Sequence, residues 1–106
     1  MKEKVTLKIQ GTEIREFEMY LYERENAEAT IRKYITDLKC FFSFLGGDQE
    51  VDKPRLLSYK EWLLEHYAVN SVNSMLAALN QFLIFCGYCE LIIRRLKTQK
   101  NLFLQE

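Results

Sequence analysis

The strongest constraint in this sequence is one apolar pattern that occurs twice, at a constant separation and with the same punctuation. Ala27, Thr30, Ile31, Tyr34, Ile35, Leu38, Phe41, Phe42, Leu45 and Gly46 align with Ala68, Ser71, Val72, Met75, Leu76, Leu79, Phe82, Leu83, Cys86 and Gly87. Steps of three and four residues put each apolar set on one stripe of an α-helix. A single stripe cannot bury itself, so each helix needs a partner element. The repeat therefore predicts two similar helix hairpins side by side. One Pro and four Gly in 106 residues leave few breaks, which favours long helices over many short strands.

The expected fold is all-α: a four-helix orthogonal bundle of two helix hairpins with a short fifth helix. Val5 to Ile9 alternate apolar and polar, as an extended arm or short strand would. Gly11 and Thr12 break that pattern, and Thr12 suits the N-cap of a first helix over about Glu13–Arg24. Ile14, Phe17, Tyr20 and Leu21 form its stripe; Glu13, Glu16, Glu18 and Glu23 make its outer face acidic. The second helix spans about Glu28–Leu45, and a loop follows to Lys53. Pro54 fits the first turn of a third helix, although Ser58 and Glu61 also have capping-box spacing. Leu57, Trp62, Leu63 and Tyr67 are the candidates for its buried side. The fourth helix covers about Asn70–Phe85, and the short fifth, about Glu90–Lys97, carries Leu91, Ile92 and Leu96. Residues 1–11 are thus an N-terminal arm, 12–97 a helical domain, and 98–106 the start of a linker toward a further domain.

Most chemistry is excluded by what is missing. Gly46-Gly47 is a helix stop and not a phosphate-cradling loop. His66 is the only histidine, and no carboxylate–histidine–nucleophile set can be assembled around it. Cys86 and Cys89 have C-x-x-C spacing, but a tetrahedral metal site needs four ligands, and Cys86 falls on a core position of the repeat. No metal and no cofactor is expected. Three cysteines, an odd number, argue for a reducing compartment and hence a cytoplasmic protein. Met1-Lys2-Glu3-Lys4 begins no apolar leader. Tyr67 to Cys89 contain no charge, yet Asn70, Asn73, Asn80 and Gln81 interrupt the stretch, and amides in hydrocarbon are costly. No membrane is expected as a partner.

The repeat also pairs the outer faces of its two helices. Arg32, Lys33, Thr36 and Lys39 correspond to Asn73, Ser74, Ala77 and Asn80. Cations suit phosphates, and Asn can pair with adenine edges or donate to phosphate. The same residues equally suit two solvated helix faces.

The second helix reads Glu25-Asn26-Ala27-Glu28-Ala29-Thr30-Ile31-Arg32-Lys33-Tyr34, then Asp37-Leu38 and Phe41-Phe42. It resembles the E-x-x-x-S-x-x-T-hydrophobic-x-x-Y-x-x-D-L-x-x-F opening of phage integrases and other tyrosine recombinases. Ser71-Val72-Asn73-Ser74-Met75-Leu76-Ala77-Ala78-Leu79-Asn80-Gln81-Phe82 is similar to that family's T-hydrophobic-N-x-x-L-S-A-L-x-x-F. Arg95 to Lys100 looks like the linker before the catalytic domain. The resemblance implies an N-terminal SAM-like core-binding domain, half of a clamp around double-stranded DNA. It further implies that the second and fourth helices face the major groove and that recombinase protomers meet in a synaptic tetramer. The chemistry, an Arg/His/Arg cluster with a nucleophilic Tyr, would lie in the catalytic domain, so this domain is expected to be non-catalytic and monomeric in isolation. Carried over by position, Thr30 and Lys33, with Arg32 and Lys39 beside them, and Ser71, Asn73, Ser74 and Ala77 are the expected DNA-binding residues. Ala27 stands where the family usually has a capping Ser, a change worth about 1 kcal/mol. Asn80 replaces a common Arg, and Leu91-Ile92-Ile93-Arg94 stands in place of the usual N-P.

Charge alone leaves a second reading open. The net charge is zero, which also suits a helical protein–protein interaction module that associates through complementary faces. But the charges are not evenly spread: residues 1–52 carry 8 basic and 11 acidic side chains, residues 53–106 carry 7 and 4. A helix-turn-helix regulator fits less well, because the fourth helix carries no cation for a recognition role.

Overall fold

Four periodic segments become four helices in the computed structural model, which describes residues 5–97. The expected linker at 98–106 and residues 1–4 of the expected arm lie outside the described residues. The helices are α1 (Glu13–Glu23), α2 (Glu28–Leu45), α3 (Lys53–His66) and α4 (Val69–Phe85). α2 packs along α4, while α1 lies on α2 and α3 on α4, so the repeated helices form the centre. Their likeness extends to the caps. Ala27 and Ala68 are both extended N-caps, and neither offers a side chain to the first turn. After both helices the chain turns through a glycine at positive φ, 63° at Gly46 and 88° at Gly87, where a side chain would be strained.

Aromatic edges tie the layers together. The rings of Phe17 and Phe82 meet edge-on at 5.5 Å, joining α1 to α4, and Phe42 meets Phe82 at 5.8 Å. Phe41 against Tyr59, at 5.0 Å, joins α2 to α3. Phe17, Leu38, Phe41, Leu76 and Phe82 are fully buried, as the stripes require.

In four places the structure decides what the sequence pattern left open or placed differently. The arm is held: β1 (Thr6–Lys8) pairs antiparallel with β2 (Glu50–Asp52), placing Leu7 opposite Val51 with both side chains in the core. Such a ribbon is marginal alone and persists because its inward residues are buried. The stretch before Lys53, expected as a loop, therefore contains a strand. Second, α3 starts at Lys53 with Pro54 in its first turn, as that proline predicts, and not at the alternative Ser58; Asp52 is the N-cap, accepting the Arg55 N–H at 3.0 Å. Its buried side is Leu56, Tyr59 and Leu63; Leu57 and Tyr67 are about two-fifths exposed, and Trp62 is half-buried. Third, Thr12 occupies the N-cap of α1 without using its hydroxyl. The Glu13 carboxylate instead accepts the N–H groups of Gln10 and Gly11, at 2.7 and 2.8 Å. Fourth, there is no fifth α-helix: Cys89–Leu91 form one 3-10 turn, and Ile92–Lys97 run on without helical structure.

Candidate nucleic-acid interface

Between α2 and α4 lies an open cleft of about 430 Å³. Lys33, Thr36, Asp37 and Cys40 line it from α2; Asn70, Ser71, Ser74 and Met75 line it from α4, with Tyr67 between α3 and α4. Lys33 Nζ lies 2.5 Å from Asp37 Oδ2 and donates to Ser74 Oγ at 3.1 Å. The Asp37 side chain is 8% exposed and that of Lys33 49%. The cation thus reaches solvent while its counter-ion stays inside, which is the arrangement a helical i, i+4 pair gives when only one member faces the core. Lys33 of α2 and the Ser71 and Ser74 hydroxyls of α4 thus share one cleft, with Thr36 and Tyr67 also on its lining.

The other expected residues are placed differently. Arg32 and Lys39 are exposed and line a separate cleft between α2 and α1, together with Glu18, Tyr22 and Glu28. Arg32 lies 3.8 Å from Glu28 at the surface, a pair worth little. Thr30 and Ala77 are half-buried on α2 and α4. Thr36, absent from the expected set, lines both clefts and links them.

Asn73 is the main correction. It was expected to face DNA, but its amide is committed within the fold. Asn73 Nδ2 donates to Leu96 O at 2.9 Å, and its Oδ1 accepts from Leu96 N at 2.7 Å. Asn80 does the same to Ile93, with both bonds at 2.8 Å. From α3, Lys53 Nζ donates to Ile92 O at 2.5 Å and Lys60 Nζ to Arg94 O at 2.7 Å. Residues 92–97 thus form a strap fastened to α3 and α4, with Ile93 and the preceding Leu91 buried in the core. The fifth helix fails for the same reason: main-chain groups that a helix would pair internally are paired here with side chains of α3 and α4. The signal in the sequence was the spacing of Asn73 and Asn80, two full turns apart on one helix face.

The cysteines and the histidine lie apart from the cleft between α2 and α4, except Cys40. Cys86 is half-buried, and burial, followed by the charges of Glu13 and Glu16, pushes its thiol up to about 11. Cys89 is exposed. His66 rests on the Trp62 ring, with centroids 4.4 Å apart, and its Nδ1 lies 2.8 Å from Trp62 O. Among the described residues no three His, Cys, Asp or Glu side chains gather as a metal site would need. No helix among them is long and apolar enough to cross a membrane.

No curated protein and no solved structure matches the chain. The sequence pattern of the family described as phage integrase, N-terminal SAM-like domain, matches residues 14–86, from α1 to the end of α4. That match covers well over half of the residues and all four helices, and the chain therefore belongs to the phage integrase N-terminal SAM-like domain family.

Proposed function

We propose that this chain is the core-binding domain of a site-specific tyrosine recombinase and grips the crossover-site duplex through α2 and α4. Domains of this family bind DNA in tyrosine recombinases and are non-catalytic in integrases. The observation that carries the finer reading is the convergence of Lys33 with Ser71 and Ser74 in one open cleft. A cation beside two hydroxyls is a phosphate-binding set, and phosphate contacts fix a protein's register on a duplex. Arg32 and Lys39, in the neighbouring cleft that Thr36 joins to this one, and half-buried Thr30 add further contacts from α2, and Ala77 is a small residue on α4. Asn73 contributes by holding the strap. Cutting and joining fall to a catalytic domain on the same polypeptide, which acts with other protomers in a synaptic tetramer. The isolated domain is a monomer, and the whole protein works in a cytoplasm that holds bacterial or phage DNA.

Titration of the chain with a labelled duplex at about 50 and about 200 mM salt tests this. Affinity should fall steeply with salt, and Lys33→Glu should lower it at both concentrations. Binding indifferent to salt and to Lys33→Glu would refute the reading. The exposed Met19 and Tyr22 on the acidic α1 favour a protein-binding role instead. That role predicts concentration-dependent light scattering with no affinity for DNA.

A further inference from the structure

The side-chain hydrogen bonds that hold the strap all run to its main chain. Every bond that α3 and α4 make to it ends on a peptide group: Ile92 O, both polar atoms of Ile93, Arg94 O, and both of Leu96. Asn suits this task, since one amide both donates and accepts and so can mimic a neighbouring strand. Between these anchors Arg94 and Arg95, and just after the last of them Lys97, are exposed and make no ion pair with a described residue. The side chains of the strap are thus sorted, with Ile93 inside and the cations outside. α4, which has no charge of its own, is bordered on one flank by Lys33 and on the other by a segment bearing three cations.

We propose that the clamp of Lys53, Lys60, Asn73 and Asn80 fixes the strap so that Arg94 and Arg95 form a second row of DNA phosphate contacts, across α4 from Lys33. This rests on the DNA-binding reading above and adds to it a new set of contacts and four positioning residues. The zero net charge is then no obstacle, because the cations that matter are drawn up on the two sides of one uncharged helix. A loose tail would carry the same charge but would have to be ordered at each encounter, and so would bind less tightly.

The test uses the 106-residue chain and a labelled mixed-sequence duplex. Arg94→Gln/Arg95→Gln removes two exposed cations and should leave the melting temperature unchanged. It should flatten the slope of log K against log salt by about 1.8, two phosphates at about 0.9 each. Asn73→Ala/Asn80→Ala keeps every cation. It should raise the trypsin cleavage rate at the Arg94–Arg95 bond about tenfold or more, and also lower duplex affinity several-fold. Ile93 and Leu96 amide exchange should quicken in that variant while Leu79 stays protected, showing that the helical core still folds. An unchanged salt slope in the arginine variant would overturn the phosphate contacts. A strap freed for trypsin with affinity unchanged, or no freer than before, would overturn the clamp. If Lys33→Glu weakens binding and the arginine variant does not, the inference fails and the proposed function stands; if neither has an effect, both fail.

Discussion

Replacing Asp37 with Asn should tighten DNA binding, an uncommon direction for a change beside a binding cleft. Asp37 is buried against Lys33, and Lys33 alone of the pair reaches solvent. A phosphate seated on Lys33 would stand about 6 Å from the Asp37 carboxylate, where two like charges repel by about 0.7 kcal/mol in bulk water and about 3 kcal/mol at the effective dielectric of a protein surface. Salt screening trims the upper figure, since the Debye length is about 8–10 Å under ordinary conditions. About 1.4 kcal/mol, or tenfold in affinity, is the central expectation at low salt. The salt slope should change by well under the ~0.9 that one phosphate contact is worth, because Lys33 meets the same phosphate in both proteins. Asn has the same shape and its Oδ1 still accepts from Lys33, so the fold should lose no more than about 1 kcal/mol. Fluorescence anisotropy with a labelled duplex at two salt concentrations measures both quantities, with a thermal melt of each protein as control. An Asp37→Asn protein that melts normally but binds no better refutes the assignment of Lys33 as a phosphate ligand. The companion Lys33→Ala should weaken binding and flatten the slope by about 0.9, because it removes the cation and leaves a buried carboxylate without it.

Other outcomes follow from the packing and the titrating groups. Leu7→Ala should lower the urea midpoint by an amount equal to about 2–5 kcal/mol, with an unchanged m-value, since Leu7 is only 1% exposed; a free arm would give almost nothing. Glu13 loses some charge stability to burial, but backbone N–H groups, including those of Gln10 and Gly11, outweigh this and hold its carboxyl below the usual value of 4.5. Its contribution is therefore present above that value and is lost as pH falls through the lower folded value, so Glu13→Gln should destabilise at neutral pH and be indistinguishable from the parent in acid melts. Cys86, pushed up to about 11, should be alkylated at a rate that keeps climbing until that pH in a protein whose other cysteines are serine. The linked stability is complete below the ordinary thiol value of 9.0 and is lost as pH rises from there to about 11, because the unfolded thiol ionises first.

The helices were legible because their signal is local. The repeat gave α2 and α4, their alanine starts and their glycine stops, since stripe, cap and stop depend on residues three or four apart. The phase of α3 was not legible: Leu56, Leu57, Leu63 and Leu64 offer two competing stripes, and only contact with Phe41 and its neighbours selects the one containing Tyr59. β2 was hidden because Val51 is its single apolar residue, so its pairing with β1 is information carried by the partner.

The candidate site divides along the same line. Sequence alone settled which residues carry charge, that α4 carries none, and that Lys33, Ser71 and Ser74 occupy helical positions able to face outward. The tertiary structure decided which of them meet: Lys33 turns toward α4 while Arg32 and Lys39 turn toward α1. It also decided the use of Asn73 and Asn80, whose amides bond to peptide groups of Leu96 and Ile93. An amide is equally competent toward a base edge and a main chain, so its chemistry names no partner. The partner is set by which polar groups the fold brings within about 3 Å, and that distance is a property of the packed chain.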